Sequence, residues 1–155
     1  MYEDRVNKAV ELFMSGYNCS QSVVAAFADL YGFTPEQALR MSASFGAGIG
    51  RMRLTCGAVC GMFLLAGLET GATEGSDRTG KSHNYAVVQE LARQFRERNG
   101  SITCSELLGL RKNAPTPPEA SPRTAEYHKT RPCVRMIECA AELFARFLEE
   151  RQAAK

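Results

Sequence analysis

Residues 55–68 read TCGAVCGMFLLAGL, a run of small and apolar residues that contains no charged side chain. A run of this length matches a helix of about four turns, and it is too short for the ~20 residues that cross a bilayer. Because a helix without a polar face has to be buried on all sides, we expect this segment to be the central helix of the fold. Gly57, Gly61 and Gly67 each weaken a helix by up to ~1 kcal/mol relative to alanine, which indicates that a neighbouring backbone or a bulky ligand comes close to them.

Helical patterns flank the central segment on both sides. Apolar residues recur at helical spacing, and the patterns start at caps such as Asn18 and the box Thr34-Pro35-Glu36-Gln37 and stop at glycines such as Gly16. No segment alternates like a strand. The sequence therefore predicts an all-α protein, with six or seven helices packed around one central, glycine-containing hydrophobic helix in a single domain, residues 1–155. The predicted helices are 2–15, 18–31, 34–45, 55–68, 79–98, 103–110 and 132–148.

Two segments are predicted to lie outside the helices. Residues 111–131 hold four of the six prolines and few apolar side chains, so we expect a loop or a lid within the domain. Residues 46–50, GAGIG, lack the spacing and the preceding strand of a dinucleotide-binding loop. They indicate a flexible or tightly turned loop instead.

Composition and charge exclude several classes of protein. The net charge is +2, with an excess of acidic residues in 1–77 and of basic residues in 78–155. The basic half lacks the charge density and the interleaved aromatic residues of nucleic-acid-binding proteins, so no nucleic acid is expected as a partner. The first residues are acidic where a signal peptide is basic, and no apolar run is long enough to span a membrane. We therefore expect a cytoplasmic protein without membrane insertion.

Cysteines carry the strongest chemical signal in the chain. Six cysteines without an export signal favour redox thiols, metal ligands or buried fillers over structural disulfides. Four of them come at predicted helix starts, where free N–H groups and about half a positive charge lower the pKa of a thiol. Arg131 and Arg135 flank the last of the four and are expected to lower its pKa further. The four are Cys19 after Asn18, Cys56 after Thr55, Cys104 after Thr103 and Cys133 after Pro132.

The remaining two cysteines and the two histidines are expected to be structural. Cys60 lies one helical turn after the start of the central helix, and Cys139 lies inside the last predicted helix, so both are interpreted as small buried apolar residues. His83 and His128 lie in or beside polar segments. Neither has a nucleophile or a carboxylate near it in the sequence, and both are predicted to lie on the surface.

The cysteine motifs resemble those of the C_GCAxxG_C_C family, redox-active proteins defined by four cysteines and a CGAxxG motif. The motif stands here as residues 56–61, CGAVCG, and the glycine-rich FGAGIGRM comes just before it. The other family cysteines correspond to Cys19 in GYNCSQSV, Cys104 in ITCSELLG and Cys133 in RPCVRMIE. The resemblance covers roughly residues 5–148 and implies a redox site formed by these cysteines. It also implies an unidentified redox partner protein and a functional link to a membrane transporter.

Three functions stay open on the sequence. In the first, which we favour, the four cysteines converge and bind an iron–sulfur cluster of the [2Fe–2S] type, or another metal, for electron transfer or sensing. In the second, they act without metal as a thiol–disulfide oxidoreductase, with Cys56 or Cys133 as the attacking thiol. In the third, the chain is a non-catalytic helical partner protein whose cysteines only pack. The candidate site consists of Cys19, Cys56, Cys104 and Cys133, with Gly57 and Gly61 making room for a cofactor.

Overall fold

The computed structural model describes residues 1–155 and contains eight right-handed α-helices and no β-strand, which confirms the all-α prediction. An isolated antiparallel bridge joins Thr55 to Thr103. None of the helices combines the length and the apolar character that crossing a bilayer requires. The helices are α1 (Glu3–Met14), α2 (Cys19–Ala25), α3 (Pro35–Ser42), α4 (Gly57–Thr70), α5 (Arg78–Asn99), α6 (Cys104–Leu107), α7 (Ala125–Thr130) and α8 (Cys133–Ala153).

Helix α4 is the central helix, as its composition predicts. It packs against α2, α5 and α8, and its first six residues are all buried. At Gly61 an added Cβ atom would lie 3.0 Å from Cβ of Val23 and 3.1 Å from the carbonyl oxygen of Ser20. This glycine therefore lets α2 lie directly against α4. Gly67 is exposed and has open space beside it, so it has no such role.

Four fully buried phenylalanines fill the core around α4. Phe13 comes from α1, Phe27 from the segment after α2, Phe95 from α5 and Phe144 from α8. The rings of Phe27 and Phe144 meet edge to face, with centroids 5.1 Å apart. Since burying one such side chain contributes about 1.5–3 kcal/mol, these residues hold the outer helices to the central one.

Capping boxes set the beginnings of α2 and α3. The side chains of Asn18 and Thr34 accept the backbone N–H of Gln21 and Gln37, whose side chains accept the N–H of the cap in return. Both helices are shorter than predicted and continue as 3₁₀ turns, Ala28–Tyr31 and Ala43–Phe45. After α2 the N–H groups of Phe27 and Leu30 bond to carbonyls three residues back, which tightens the helix.

Residues 47–51 form a left-handed turn between α3 and α4. Their φ angles are 56° at Ala47, 77° at Gly48, 67° at Ile49, 59° at Gly50 and 66° at Arg51. Each residue other than glycine costs about 1–2 kcal/mol in this conformation. The tight turn predicted from GAGIG is confirmed, but it also includes three residues with side chains. Backbone strain of this kind persists where the surrounding structure holds it in place.

Residues 111–124 form an extended segment, here called the strap, that is tied to the helices by two arginines. Arg51 donates from Nε to the carbonyl oxygen of Pro117 at 2.9 Å and from Nη1 to Oγ of Ser121 at 3.0 Å. Arg123 donates to the carbonyl oxygens of Phe13 and Tyr17 at 2.8 and 2.7 Å. The strap is ordered against the body of the protein by these bonds.

The prediction of a structureless segment over residues 111–131 is wrong for its last part. Helix α7, Ala125–Thr130, follows the strap directly. It begins there because the hydroxyl of Thr124 accepts the N–H of Tyr127 at 3.1 Å, which is an ordinary N-cap bond.

Candidate functional site

The four cysteines that the sequence singles out line one cavity of about 420 Å³. Cys19, Cys104 and Cys133 are the first residues of α2, α6 and α8, and Cys56 is the N-cap residue of α4. Four helices thus direct their N-termini at the same space, and residues that are distant in sequence meet there. A volume of this size lies within the range of small-molecule sites.

The bridge between Thr55 and Thr103 brings Cys56 close to Cys104. The N–H of Cys56 donates to the carbonyl oxygen of Ile102 at 2.7 Å, and the N–H of Cys104 donates to that of Leu54 at 2.6 Å. These two bonds hold the N-terminus of α4 beside the N-terminus of α6. The first pair of site cysteines is therefore positioned by the backbone.

Cys19 and Cys133 form the second pair, and each thiol shifts the pKa of the other. The nearby thiol of Cys19 is the main cause that lowers the pKa of the Cys133 sulfur to about 6, against the opposing effect of burial. The hydroxyl of Tyr127, 4.0 Å from the same sulfur, and the charges of Arg131 and Arg123 lower it further. The same interaction raises the pKa of Cys19, so Cys133 is the more acidic thiol of the pair.

Burial keeps the thiols of the first pair protonated. It raises the pKa of Cys56 to about 12, although the N–H groups of Val59 and Ala58 partly offset this. It also raises the pKa of Cys104, despite the guanidinium of Arg53, whose Nη1 lies 3.8 Å from the sulfur. The expectation that every helix N-terminus favours a thiolate here is correct for only one of the four cysteines. For the other three, loss of solvent or a neighbouring thiolate outweighs the helix dipole.

Glycines let the backbone approach two of these cysteines closely. An added Cβ atom would lie 3.0 Å from Cβ of Cys19 at Gly57, and 2.7 Å from Cβ of Cys104 at Gly48. Gly57 lines the cavity, whereas Gly61 lies one turn further along α4, against α2. Of the two glycines predicted to make room at the site, the structure places only Gly57 on its wall.

Four arginines and a tyrosine on the cavity wall were only partly foreseen. The sequence argument named Arg131, but it paired this residue with Arg135, which is exposed. Arg123 of the strap is the second arginine whose charge lowers the pKa of Cys133. Arg51 and Arg53 lie just before the CGA motif in the sequence, and this position could have identified them as site residues. The five residues are Arg51, Arg53, Arg123, Tyr127 and Arg131.

Cys60 and Cys139 lie outside the cavity and are buried, as predicted. The thiol of Cys60 donates to the carbonyl oxygen of Thr55 at 3.7 Å, and burial raises its pKa to about 11. Cys139 on α8 faces α5, where Nδ2 of Asn99 donates to its sulfur at 3.4 Å. Neither thiol is placed to take part in chemistry at the cavity.

The two histidines differ from each other in environment. His83 is exposed, as predicted. The surface prediction for His128 is wrong, because its ring is half-buried and stands edge-on to Phe13 and Tyr127, with centroids 5.7 and 5.2 Å apart. His128 therefore packs against Tyr127, whose hydroxyl lies near the sulfur of Cys133.

The positions of the four cysteines can be compared with the ligands that a single metal ion or an iron–sulfur cluster needs. No three histidine, cysteine or carboxylate side chains are grouped so that they could hold one metal ion. A closed zinc site, which needs four ligands around a single ion, is therefore not formed by these residues. A [2Fe–2S] cluster takes two protein ligands at each iron, and the four cysteines that would supply them line one cavity.

The fold and the cavity define an all-helical protein with a four-cysteine site. Residues 17–147 match the family model described as "Putative redox-active protein (C_GCAxxG_C_C)", and the chain belongs to this family. The resemblance inferred from the cysteine motifs is confirmed. No curated protein and no solved structure matches the chain.

Proposed function

We propose that the protein performs thiol–disulfide redox chemistry with Cys133 as the nucleophile and Cys19 as its resolving partner. The observation that carries this proposal is that Cys19 and Cys133 begin two helices that meet at one cavity, where Cys19 lowers the pKa of Cys133. A thiolate in contact with a second thiol is the arrangement that dithiol redox proteins use. Neither cysteine is fully enclosed, and both line an open cavity.

The reaction balances with a disulfide as the oxidant. The thiolate of Cys133 attacks one sulfur of the substrate disulfide, the substrate S–S bond breaks, and the first substrate thiolate leaves. Cys19 then loses its proton to the second leaving sulfur and attacks Cys133, which forms the Cys19–Cys133 disulfide. Two electrons pass from the protein to the substrate, and the reverse sequence oxidises a dithiol partner. Cys56 and Cys104, being protonated, do not compete as nucleophiles at neutral pH.

A second candidate function, electron transfer or sensing through a [2Fe–2S] cluster, is favoured by the convergence of all four cysteines on one cavity. Cys19, Cys133, Cys56 and Cys104 would hold the cluster, which would supply one-electron chemistry. Gly57 and Gly48 keep the surrounding backbone close, and the arginines of the wall supply positive charge beside the thiolates.

The two candidates are separated by purifying the protein without oxygen and measuring its absorption spectrum, iron and labile sulfide. The dithiol proposal expects a colourless protein without iron, in which mild oxidant consumes two thiols and peptide mapping finds a Cys19–Cys133 disulfide. Cys133→Ser and Cys19→Ser abolish this loss of thiols, whereas the matched control Cys139→Ser does not. Visible absorption bands with iron and sulfide in equal amounts would replace the proposal by the cluster. If the protein is free of metal and its thiols resist oxidation, both candidate functions are wrong and the cysteines serve only in packing.

A further inference from the structure

The wall of the four-cysteine cavity is strongly asymmetric in charge. Arg51, Arg53, Arg123 and Arg131 line it, and no aspartate or glutamate does. None of these four arginines forms an ion pair with a carboxylate, although other arginines of the chain do. Four unpaired guanidinium groups around one space are unfavourable unless something negative offsets them, because like charges repel most where water is scarce.

The guanidinium groups are held in place rather than free in solvent. Arg51 is fastened to the strap, Arg53 lies beside Cys104, and Arg123 stacks on Phe13 at 4.0 Å from the ring centroid. Arg131 stacks on Tyr127 at 4.8 Å. These contacts orient the groups and leave them without a carboxylate partner.

The four arginines line one cavity and are close enough for their charges to act together. Burial lowers the pKa of Arg51, and the charges of Arg53 and Arg131 lower it further. Glu119, an exposed residue of the strap, opposes this effect only in part. The cavity therefore keeps a net positive charge, which the Cys133 thiolate and Glu119 offset only in part.

We propose that the substrate of this site is a small disulfide that carries carboxylates on both sides of its S–S bond. The inference rests on the proposed dithiol function and specifies its substrate class. Guanidinium groups bind carboxylates through paired, charge-assisted hydrogen bonds, which places the S–S bond between them against Cys133. A cavity of about 420 Å³ accommodates a molecule of this kind.

The arginines also favour the first chemical step. Attack by the Cys133 thiolate breaks the substrate S–S bond and leaves a negative charge on the departing sulfur. The same positive groups stabilise this charge as it forms, so the carboxylate-bearing thiolate is a good leaving group inside the cavity. After Cys19 resolves the mixed disulfide, two carboxylate-bearing thiols have formed and the protein holds one disulfide.

The test compares three disulfide reagents of different charge on the reduced, full-length protein. Dithiobis(nitrobenzoate) carries two carboxylates, dithiodipyridine is neutral, and cystamine carries two ammonium groups. The rate of the fastest phase is measured with each reagent, and peptide mapping confirms that Cys19 and Cys133 are consumed in it. Two variants change the cavity. The first is the double variant Arg53→Gln/Arg131→Gln, which removes two positive charges. The second is the single variant Arg131→Lys, which retains the charge. Arg40→Gln, an exposed arginine outside the cavity, is the matched control for loss of a charge.

The double variant is expected to react about tenfold more slowly with the dianionic reagent and within about twofold of the unchanged protein with the neutral one. Arg131→Lys retains most of the rate, and added salt lowers only the rate with the anionic reagent. Circular dichroism and thermal unfolding check that each variant is folded. Equal slowing with all three reagents, or none, would overturn the proposed substrate class. Failure of every reagent to join Cys19 to Cys133 would instead overturn the proposed dithiol function.

Discussion

Four cysteines with the same local position have different chemistry in this protein. Each lies at a helix N-terminus, where free N–H groups favour a thiolate. Of the four, only Cys133 has a lowered pKa, because Cys19, Tyr127 and two arginines favour the charged form of its sulfur. The neighbours and the burial that the fold gives each thiol therefore change its pKa more than the helix N-terminus does.

The rate at which Cys133 reacts with iodoacetamide is expected to rise with pH and reach half of its plateau near pH 6. The thiolate is the reactive form, so the rate falls as acid protonates it below that pKa. Cys19→Ala and Tyr127→Phe each remove a hydrogen-bond donor and should move the midpoint to higher pH. The measurement is alkylation of Cys133 at a series of pH values, followed by mass spectrometry of its peptide.

Cys60→Ala serves as the control for this profile, since Cys60 lies outside the cavity and its loss should leave the midpoint unchanged. A midpoint at pH ~8.5, which is the pKa of an unperturbed cysteine, would contradict the assignment of Cys133 as a thiolate. So would a midpoint that does not respond to the loss of Cys19.

At the scale of the elements, the left-handed turn 47–51 is the least expected structure. It occupies the approach to α4 and holds Gly48 against the backbone of Arg53 and the side chain of Cys104. The strain of Ala47, Ile49 and Arg51 is thus associated with the position of one site cysteine.

Gly48→Ala is expected to destabilise the protein by about 2–4 kcal/mol, whereas Gly50→Ala costs only about 1–2 kcal/mol. Both glycines have positive φ angles, 77° and 59°, so both substitutions carry the left-handed penalty. At Gly48 the new Cβ atom also comes within 2.7 Å of Arg53 Cα and Cys104 Cβ, while at Gly50 the nearest atom is 3.9 Å away. Urea unfolding of the two variants measures the difference.

The same pair of variants reports on the site. Gly48→Ala displaces Cys104 and should expose its thiol to alkylation, which Gly50→Ala should not do. If the two variants have equal stability and equal Cys104 reactivity, the turn does not position that cysteine.

At the scale of the whole molecule, the strap closes one side of the cavity although it is irregular and largely exposed. It is held by long-range bonds to the turn 47–51 and to the end of α1 rather than by buried apolar side chains. A segment anchored in this way opens at low cost compared with the helical core. A few polar contacts therefore hold the strap beside the cavity that the four thiols line.

Arg123→Ala is expected to release the strap while the helices stay folded. The substitution removes two hydrogen bonds to carbonyls of α1 and its C-terminal loop and the stacking on Phe13, about 2–3 kcal/mol together. Limited proteolysis should cut residues 111–124 faster, and the buried thiols of Cys56 and Cys104 should react faster. Arg111→Ala, an exposed residue at the start of the strap, is the control and should change neither rate. Unchanged proteolysis of Arg123→Ala would show that other contacts hold the strap.

Much of the architecture was predictable because it depends on local patterns. The segment 55–68 has no polar face, so it had to be central, and the capping boxes at Asn18 and Thr34 set helix starts within a residue. Cys19 follows such a cap directly, whereas Thr103 and Pro132, which precede Cys104 and Cys133, form no side-chain cap bond although helices begin after them. Helix α7 was missed because its short pattern lies within a proline-rich segment, where composition argues against a helix.

The helical class, the buried central helix and the four candidate cysteines follow from composition and from spacing along the chain, so they could be read from the amino-acid sequence. The pairing of Cys19 with Cys133, the lowered pKa of Cys133 alone and the four arginines around the cavity became visible only in the folded structure. The physical reason is that pKa values and pairings depend on burial and on neighbours from distant parts of the chain. Such contacts exist only once the helices have packed.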